Sequence, residues 1–238
     1  MEKTVLFEKR DGVALITLNR PERHNSICQN LLVNLYDCID RVSADEGIVA
    51  AVITGNGRSF CSGIDLAVIG KDNLLDPRGD GRDMPDVFSS CRKPLIGAVN
   101  GNAITGGFEL ALNCDFLIAS ENARFTDSHA KVGIHPGWGM TQLLQQAVGQ
   151  RMAKQLSFTC KPLFAADALR CGLVNEVVPA DVLVPRALEI ARDMTQVNPG
   201  MMHEIKALIE KRSEVTLREA LRLEREGFTR FVKKAGVF

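Results

Sequence analysis

The sequence predicts an α/β fold, a strand-and-helix core followed by a helical appendage. Three observations carry this. Apolar runs of strand length at 48–54, 94–99 and 116–119 are separated by glycine-bearing loops and helix-forming stretches. Between 100 and 115 a glycine-rich loop opens directly into good helix formers, Phe108 to Leu112. Beyond residue 180 the pattern is helical, with no further run of strand type. The expected division is a core at 1–180 and a C-terminal helical region at 181–238.

Each element has its own signal. The β-rich runs 5–9 and 13–19 flank Arg10-Asp11-Gly12, an Asp-Gly hairpin turn. Residues 19–26 form a polar loop. Residues 29–44 place Leu31, Leu32, Leu35, Ile39 and Val42 on one helical face. The strand at 48–54 ends at Gly55-Asn56-Gly57. A loop then reaches Gly63, and 64–69 reads as a helix with Asp65 in its first turn. Residues 71–85, polar and rich in Gly, Asp and Pro, read as a mobile surface loop. A short helix at 84–91 leads to the strand at 94–99. After the strand at 116–119 come a strand edge at 123–126, a loop with one helical turn at 127–139, and helices at 140–148 and 151–158 broken at Gly149. A helix at 163–171 precedes a strand at 172–178. Helices at 181–197, 198–212 and 216–234 close the chain, with Phe228 and Phe231 on one face.

Composition narrows the function classes. The 238 residues are 45% hydrophobic and 24% charged, ordinary for a globular protein, and suit one large domain, or one with a small appendage. Lys+Arg equals Asp+Glu, so charge makes no case for nucleic acid or a membrane surface. The seven cysteines, at 28, 38, 61, 91, 114, 160 and 171, are odd in number and form no Cys-x-x-Cys pair, which suits reduced thiols. No apolar run reaches the roughly 18 residues of a membrane helix. The first residues show no signal-peptide pattern, and the last do not spell a Ser-Lys-Leu address. The expected location is cytoplasmic. His and Cys show no metal-ligand spacing, and phosphate-loop, dinucleotide and nucleophile-elbow motifs are absent. No metal is expected.

Chemistry concentrates at Asn100 to Asp115. A glycine pair at a helix start, Gly106-Gly107, leaves backbone N–H groups bare, and the helix dipole adds partial positive charge. Such a turn suits an oxyanion. Glu109 lies in the first turn. The alternative is that the glycines only allow close helix packing and Glu109 complements the dipole. A second bare helix start, where the loop reaching Gly63 gives way to Ile64, favours the oxyanion reading.

From Phe7 to about Phe231 the sequence resembles the crotonase (enoyl-CoA hydratase/isomerase) superfamily. The carriers are Asn19-Arg20-Pro21 with Asn25, then Phe60-Cys61-Ser62-Gly63-Ile64-Asp65. They continue with Asn100-Gly101-x-Ala103-x-x-Gly106-Gly107-x-Glu109-Leu110-Ala111, Cys114-Asp115 and Gly133-x-x-Pro136-Gly137. Each is weak alone; in this order and at these separations they are specific. The resemblance implies a crotonase-like spiral of ββα turns, although no copied internal repeat is present. It also implies a C-terminal helical region that trimerises or covers a site, in a homotrimer or a dimer of trimers.

The resemblance further implies an acyl-CoA thioester substrate, with CoA as part of the substrate and no separate cofactor. It places the two oxyanion donors on the N–H groups of Ile64 and Gly106. Glu109 falls on the first of two catalytic glutamates of enoyl-CoA hydratases; the second position holds His129. A His titrates near neutrality and could relay a proton, and Asp127 could reach the same pocket. The other reading of His129 is a neutral residue hydrogen-bonded in a turn. Arg23, His24 and Ser26 match the segment along the nucleotide end of CoA, with Arg23 either meeting a phosphate or standing as a solvated charge. Ser62, Gly63, Asp65, Leu66 and Gly107 complete the expected substrate contacts, and Trp138 reads as packing. The implied reaction is hydration of a 2-enoyl-CoA. The rivals are isomerisation with Glu109 as lone base, or a catalytically silent acyl-CoA-binding member.

Overall fold

The structure, a computed structural model, describes residues 3–236. In chain order its elements are β1 (Val5–Arg10), β2 (Val13–Leu18), α1 (Gln29–Ala44), β3 (Ala50–Gly55), β4 (Ser59–Cys61) and α2 (Met84–Ser90). There follow β5 (Leu95–Val99), β6 (Asn102–Ile104), α3 (Gly106–Leu112), β7 (Phe116–Ser120), β8 (Arg124–Thr126), α4 (His129–Val132) and α5 (Met140–Thr159). The chain continues through β9 (Leu163–Phe164), α6 (Ala165–Arg170), β10 (Glu176–Val178), α7 (Leu183–Asp193), α8 (Pro199–Lys211) and α9 (Leu217–Ala235).

Asp11 and Gly12 both take left-handed backbone angles, as a two-residue hairpin turn requires, and β1 pairs antiparallel with β2. Every later pairing in that sheet is parallel, and its order is β1-β2-β3-β5-β7-β10. A second sheet has the order β4-β6-β8-β9. From β3 to β8 successive strands therefore alternate between sheets. β5 enters the first, β6 the second, and α3 follows; β7 and β8 repeat this before α4 and α5. That recurrence is the ββα spiral. Strand β6 lies where the sequence reads as loop. Its three residues are too few to show periodicity, and pairing with β4 and β8 makes them a strand.

Strand periodicity sorts the core into two layers. Ala14, Ile16, Leu18, Ala51 and Ile53 join the main core, which also takes Leu31, Leu32, Leu35, Ile39 and Val42 of α1. Their neighbours Val13, Leu15, Ala50, Val52, Ile96, Ala98 and Ile118 face the other way and pack on α7 through Leu183, Ala187, Leu188 and Ala191. Both faces are covered, so these strands read as continuous apolar runs. The sheet-bearing unit accordingly extends through Thr195, and a helical unit begins at Gln196. Helix α7, grouped by sequence with the appendage, is a sheet-covering helix because its apolar face repeats at i, i+4, i+5 and i+8. In the second unit, α8 exposes Met201, Ile205 and Ile209, and α9 exposes Leu217, Leu221, Phe228 and Phe231. Among the described residues no helix is long and apolar enough to cross a membrane.

Two local expectations are corrected. The helix expected over 64–69 is only a 3-10 turn, Leu66–Val68, capped by Asp65, whose carboxylate accepts from the Ala67 N–H at 3.1 Å. Gly70, at φ +76, ends it after three residues, too few for a macrodipole. The segment 71–83, expected to be mobile, is stitched to α1. The Gln29 N–H donates to Asp72 and the Gln29 side-chain amide to the Pro77 carbonyl, each at 2.8 Å. Arg78 lies over the Tyr36 ring and bridges Asp40 at 2.6 Å, Asp37 at 3.2 Å and Asp80 at 2.8 Å. These acids are scattered through the sequence, so their convergence is not legible from the segment's polar composition.

This staple yields a first prediction. Because the Arg78 side chain is largely buried while its partners are half exposed, Arg78→Ala is expected to cost about 2 kcal/mol, below the value for a fully buried pair. Hydrogen exchange followed by mass spectrometry should show faster exchange confined to 71–83 and the facing turn of α1; unchanged exchange there would refute the staple.

Candidate active site

The site begins as a backbone contact. Gly63 sits at φ +90, and a Cβ there would lie 2.8 Å from the Ile104 carbonyl oxygen and 3.5 Å from the Gly106 nitrogen. A Cβ on Gly107 would lie 2.0 Å from the Cys61 carbonyl oxygen. Only glycine at both positions lets the exit of β4 press against the start of α3. The turn is held from the far side by Ile27. Its N–H donates to the Gly63 carbonyl at 2.8 Å, and its carbonyl accepts from the Asp65 N–H at 2.9 Å. That parallel bridge skips the Ile64 N–H. Gly106, the first residue of α3, has an N–H with no intrahelical acceptor. Among the described residues neither amide donates to a protein acceptor. Two bare N–H groups thus stand on neighbouring turns, as the glycine pattern predicts, although only Gly106 lies at an α-helix start.

Thr105, just before Gly106, is a β-branched residue at φ 50, ψ −111, a conformation such residues avoid. Its hydroxyl pairs closely with the Ser128 hydroxyl and accepts the Ser128 N–H at 3.3 Å, while its own N–H donates to the Thr126 carbonyl at 2.8 Å. Three bonds to one neighbouring segment hold the strained peptide that precedes Gly106. Nothing in the local sequence announces this.

Glu109 is 1% exposed, one turn into α3. Its Oε1 accepts from the Trp138 N–H at 2.9 Å and the Met140 N–H at 3.2 Å. Its Oε2 faces His129 Nε2 at 3.6 Å, beyond hydrogen-bond length. Burial raises the Glu109 carboxyl above the usual range, and the backbone amides of Trp138, Met140 and Gly137 together with His129 offset this only in part. His129, 6% exposed, places Nδ1 2.7 Å from Asp127 Oδ1, and its backbone N–H donates to the same oxygen at 3.1 Å. Asp127 is 2% exposed. Burial pushes its carboxyl up, but hydrogen bonds from His129 and the Ser157 hydroxyl outweigh this and hold it below the usual range. Asp127, His129 and Glu109 therefore form one buried row.

The remaining sequence-selected residues divide. Arg20, given no role by the sequence reading, donates to the Ser26 carbonyl at 2.6 Å and to Asp65 Oδ2 at 3.1 Å. Asp65 is committed on both oxygens, and the Ala67 amide with the Arg20 guanidinium holds it below the usual carboxylate range. Ser26 is buried and joined to the same Arg20. His24 pairs its Nδ1 with the Ser59 hydroxyl at 3.2 Å, and its carbonyl accepts the Ser62 N–H at 3.1 Å. Arg23 and Leu66 are exposed, Leu66 at 74%. Trp138 packs as expected, with its ring 3.1 Å from where a Gly106 Cβ would be. It also supplies the amide that fixes Glu109, a role the sequence reading missed because a backbone donor leaves no residue-type signal.

Known proteins resemble this chain over most of its length. A family model described as Enoyl-CoA hydratase/isomerase matches residues 8–237. A probable enoyl-CoA hydratase 1, peroxisomal, of Arabidopsis thaliana is 42% identical over 90% of this chain and 81% of its own length. The short-chain-enoyl-CoA hydratase of Clostridium acetobutylicum is 38% identical over 94% of this chain and 87% of its own. A solved enoyl-CoA hydratase from Bacillus anthracis superposes with a TM-score of 0.87 at 30% identity, covering 95% of this chain and 90% of that one.

The glycine contact is testable without an activity assay. Gly107→Ala forces backbone apart at Cys61, and the expected cost is about 1–3 kcal/mol or more. In a thermal melt each kcal/mol should lower the midpoint by roughly 2–4 °C at this chain length. Ile64→Ala, which alters no backbone donor, should leave the Glu109 environment intact; a Gly107→Ala melt matching wild type would refute the close contact.

Proposed function

The chain belongs to the enoyl-CoA hydratase/isomerase family, within the crotonase superfamily, and on that ground we propose that it adds water to a 2-enoyl-CoA, giving the 3-hydroxyacyl-CoA. The observation that carries the reading is the buried Glu109 carboxylate, anchored at Oε1 by two amides with Oε2 turned toward His129, one turn from a bare Gly106 amide.

In this reading the thioester oxygen accepts hydrogen bonds from the Ile64 and Gly106 N–H groups. Water adds at the β-carbon, forming the C–O bond, and gives its proton to Glu109 Oε2. The double-bond electrons move through the α-carbon onto the thioester oxygen as an enolate. Donors fixed in the backbone stabilise that charge more than they stabilise the neutral carbonyl. The α-carbon then takes that proton from Glu109, which returns to its carboxylate as the enolate collapses to the thioester, so H and OH have been added across the double bond. The row of Glu109 and His129 stands where the attacking water is handled. Ser62, Gly63 and Gly107 shape the thioester turn, and Asp65 supports it through Arg20. Arg23 and His24, on the exposed loop joined to that turn, are assigned to the nucleotide end of CoA, and the exposed Leu66 to its edge. The scheme needs no metal or redox cofactor.

The helical unit is assigned an assembling role, in a homotrimer or a dimer of trimers. Its exposed Ile205, Ile209, Leu221, Phe228 and Phe231 support this, because apolar side chains grouped in this way ordinarily find cover. Seven free thiols among the described residues fit a reducing compartment, and the cytoplasm is the proposed location. Sedimentation should give three or six times the chain mass; a concentration-independent monomer would refute the assembly.

Glu109→Gln is expected to lower kcat about 10²–10⁴-fold on a short 2-enoyl-CoA. Product analysis with 2-enoyl- and 3-enoyl-CoA separates hydration from isomerisation, and full hydration by this variant would end the mechanism. The raised Glu109 carboxyl also has a sign. A carboxyl whose folded value exceeds its unfolded one stabilises the fold at low pH, and that contribution is lost as pH rises through the folded value. Activity needs the ionised form, so its acid limb should lie above the ordinary carboxylate range. A glutamine side chain can accept from the same two amides without ionising, so Glu109→Gln should be more stable than wild type at neutral pH.

A further inference from the structure

The hydratase reading leaves Asp127 without a function, and the sequence placed it among substrate contacts. Its geometry points elsewhere. It is almost fully buried, and one of its oxygens binds both the backbone N–H and the ring Nδ1 of His129. The Ser157 hydroxyl of α5 adds a further hydrogen bond to the carboxylate. We propose that Asp127 is a positioning residue that keeps a proton on His129 Nδ1, so that Nε2 is the working nitrogen and shares the attacking water with Glu109 Oε2. This rests on the hydratase reading and specifies how its second catalytic position operates without a second glutamate.

The argument is one of donors and acceptors. An ionised carboxylate can only accept, so the ring nitrogen 2.7 Å from Asp127 must be the one carrying hydrogen. In the neutral ring Nε2 then presents a lone pair. The charged groups recorded around His129 are Asp127, beside it in the chain, and Glu109 on α3. Nε2 and Oε2 stand 3.6 Å apart, too far to bond each other. Two atoms at that separation can each accept one hydrogen from a single water at ordinary hydrogen-bond length. A water held by both its hydrogens turns its lone pairs away from the two acceptors. Addition would then break one O–H bond as the new C–O bond forms, the proton passing to Glu109 or to Nε2. A second carboxylate at position 129 would place like charges beside Glu109 and raise one of them further; the imidazole accepts without adding charge. The tautomer requirement parallels the Asp–His pair of serine hydrolases, where Asp→Asn fixes the wrong tautomer and activity collapses.

The test combines spectroscopy with kinetics on the full chain. In 15N-histidine spectra taken above imidazole ionisation, the His129 signal is the one lost in His129→Asn. The wild-type protein should show the Nδ1–H form; an Nε2–H form overturns the proposal regardless of activity, and needs no variant to fold. Asp127→Asn should switch the ring to Nε2–H and lower kcat about 10–100-fold with KM within about twofold, and Asp127→Glu should recover the Nδ1–H form and part of the rate. Wild-type kcat in a folded Asp127→Asn protein overturns the proposal and leaves hydration standing. Failure of the wild-type protein to hydrate any 2-enoyl-CoA instead ends the hydratase reading, and the shared water with it.

Discussion

The site depends on one backbone contact, the exit of β4 against the entrance of α3. Gly63 and Gly107 are each in positions where a single methyl group would meet a carbonyl oxygen. Because the contact is made by main chain, it positions amides rather than side chains, and amides are what a developing oxyanion needs. It also explains the spiral's usefulness. Strands β4, β6 and β8 run parallel, so the loop after β4 and the helix after β6 leave the second sheet at the same end and meet because β4 and β6 are paired neighbours. The site is a consequence of that pairing.

Electrostatics then distinguishes two buried carboxyls a short distance apart. Glu109 has backbone donors, chiefly Trp138 and Met140 on Oε1, but burial wins; its carboxyl is raised. Asp127 has side-chain donors from His129 and Ser157 as well as the His129 amide, and they win; its carboxyl is lowered. Such opposed shifts separate a group suited to exchanging protons from one suited to staying charged. His129 lies between them and is oriented by the charged one toward the exchanging one.

How far this was legible from sequence depends on whether a feature is local. The Asp11-Gly12 hairpin and the helix at 29–44 follow from turn chemistry and periodicity, and the structure repeats them nearly residue for residue. The glycine pair before Glu109 marked the helix start correctly. Features built by distant partners were not legible. The acids holding Arg78 lie at 37, 40 and 80, so the segment looked mobile. Arg20 and Asp65 are 45 residues apart. Strand β6 exists only through its neighbours. The strain at Thr105 runs against its own residue preference and is held by Ser128, so propensity argues for the opposite. The family resemblance located Glu109 and His129 by position, but not the bond that joins Asp127 to His129.

Trp138 shows why the site's parts cannot be adjusted separately. Its N–H holds Glu109 Oε1, its ring covers Gly106, and its carbonyl accepts from Asn113 at the far end of α3 at 2.8 Å. One residue therefore touches the buried carboxylate, the turn carrying the bare Gly106 amide and both ends of the helix between them. A shift of the loop before α5 would move the carboxylate and the cover over Gly106 together. The spacing of Glu109 from the Gly106 amide is set within α3, and this brace holds it. Packing and positioning are here the same contact: the ring excludes space above Gly106, and by doing so aims the amide that orients Glu109.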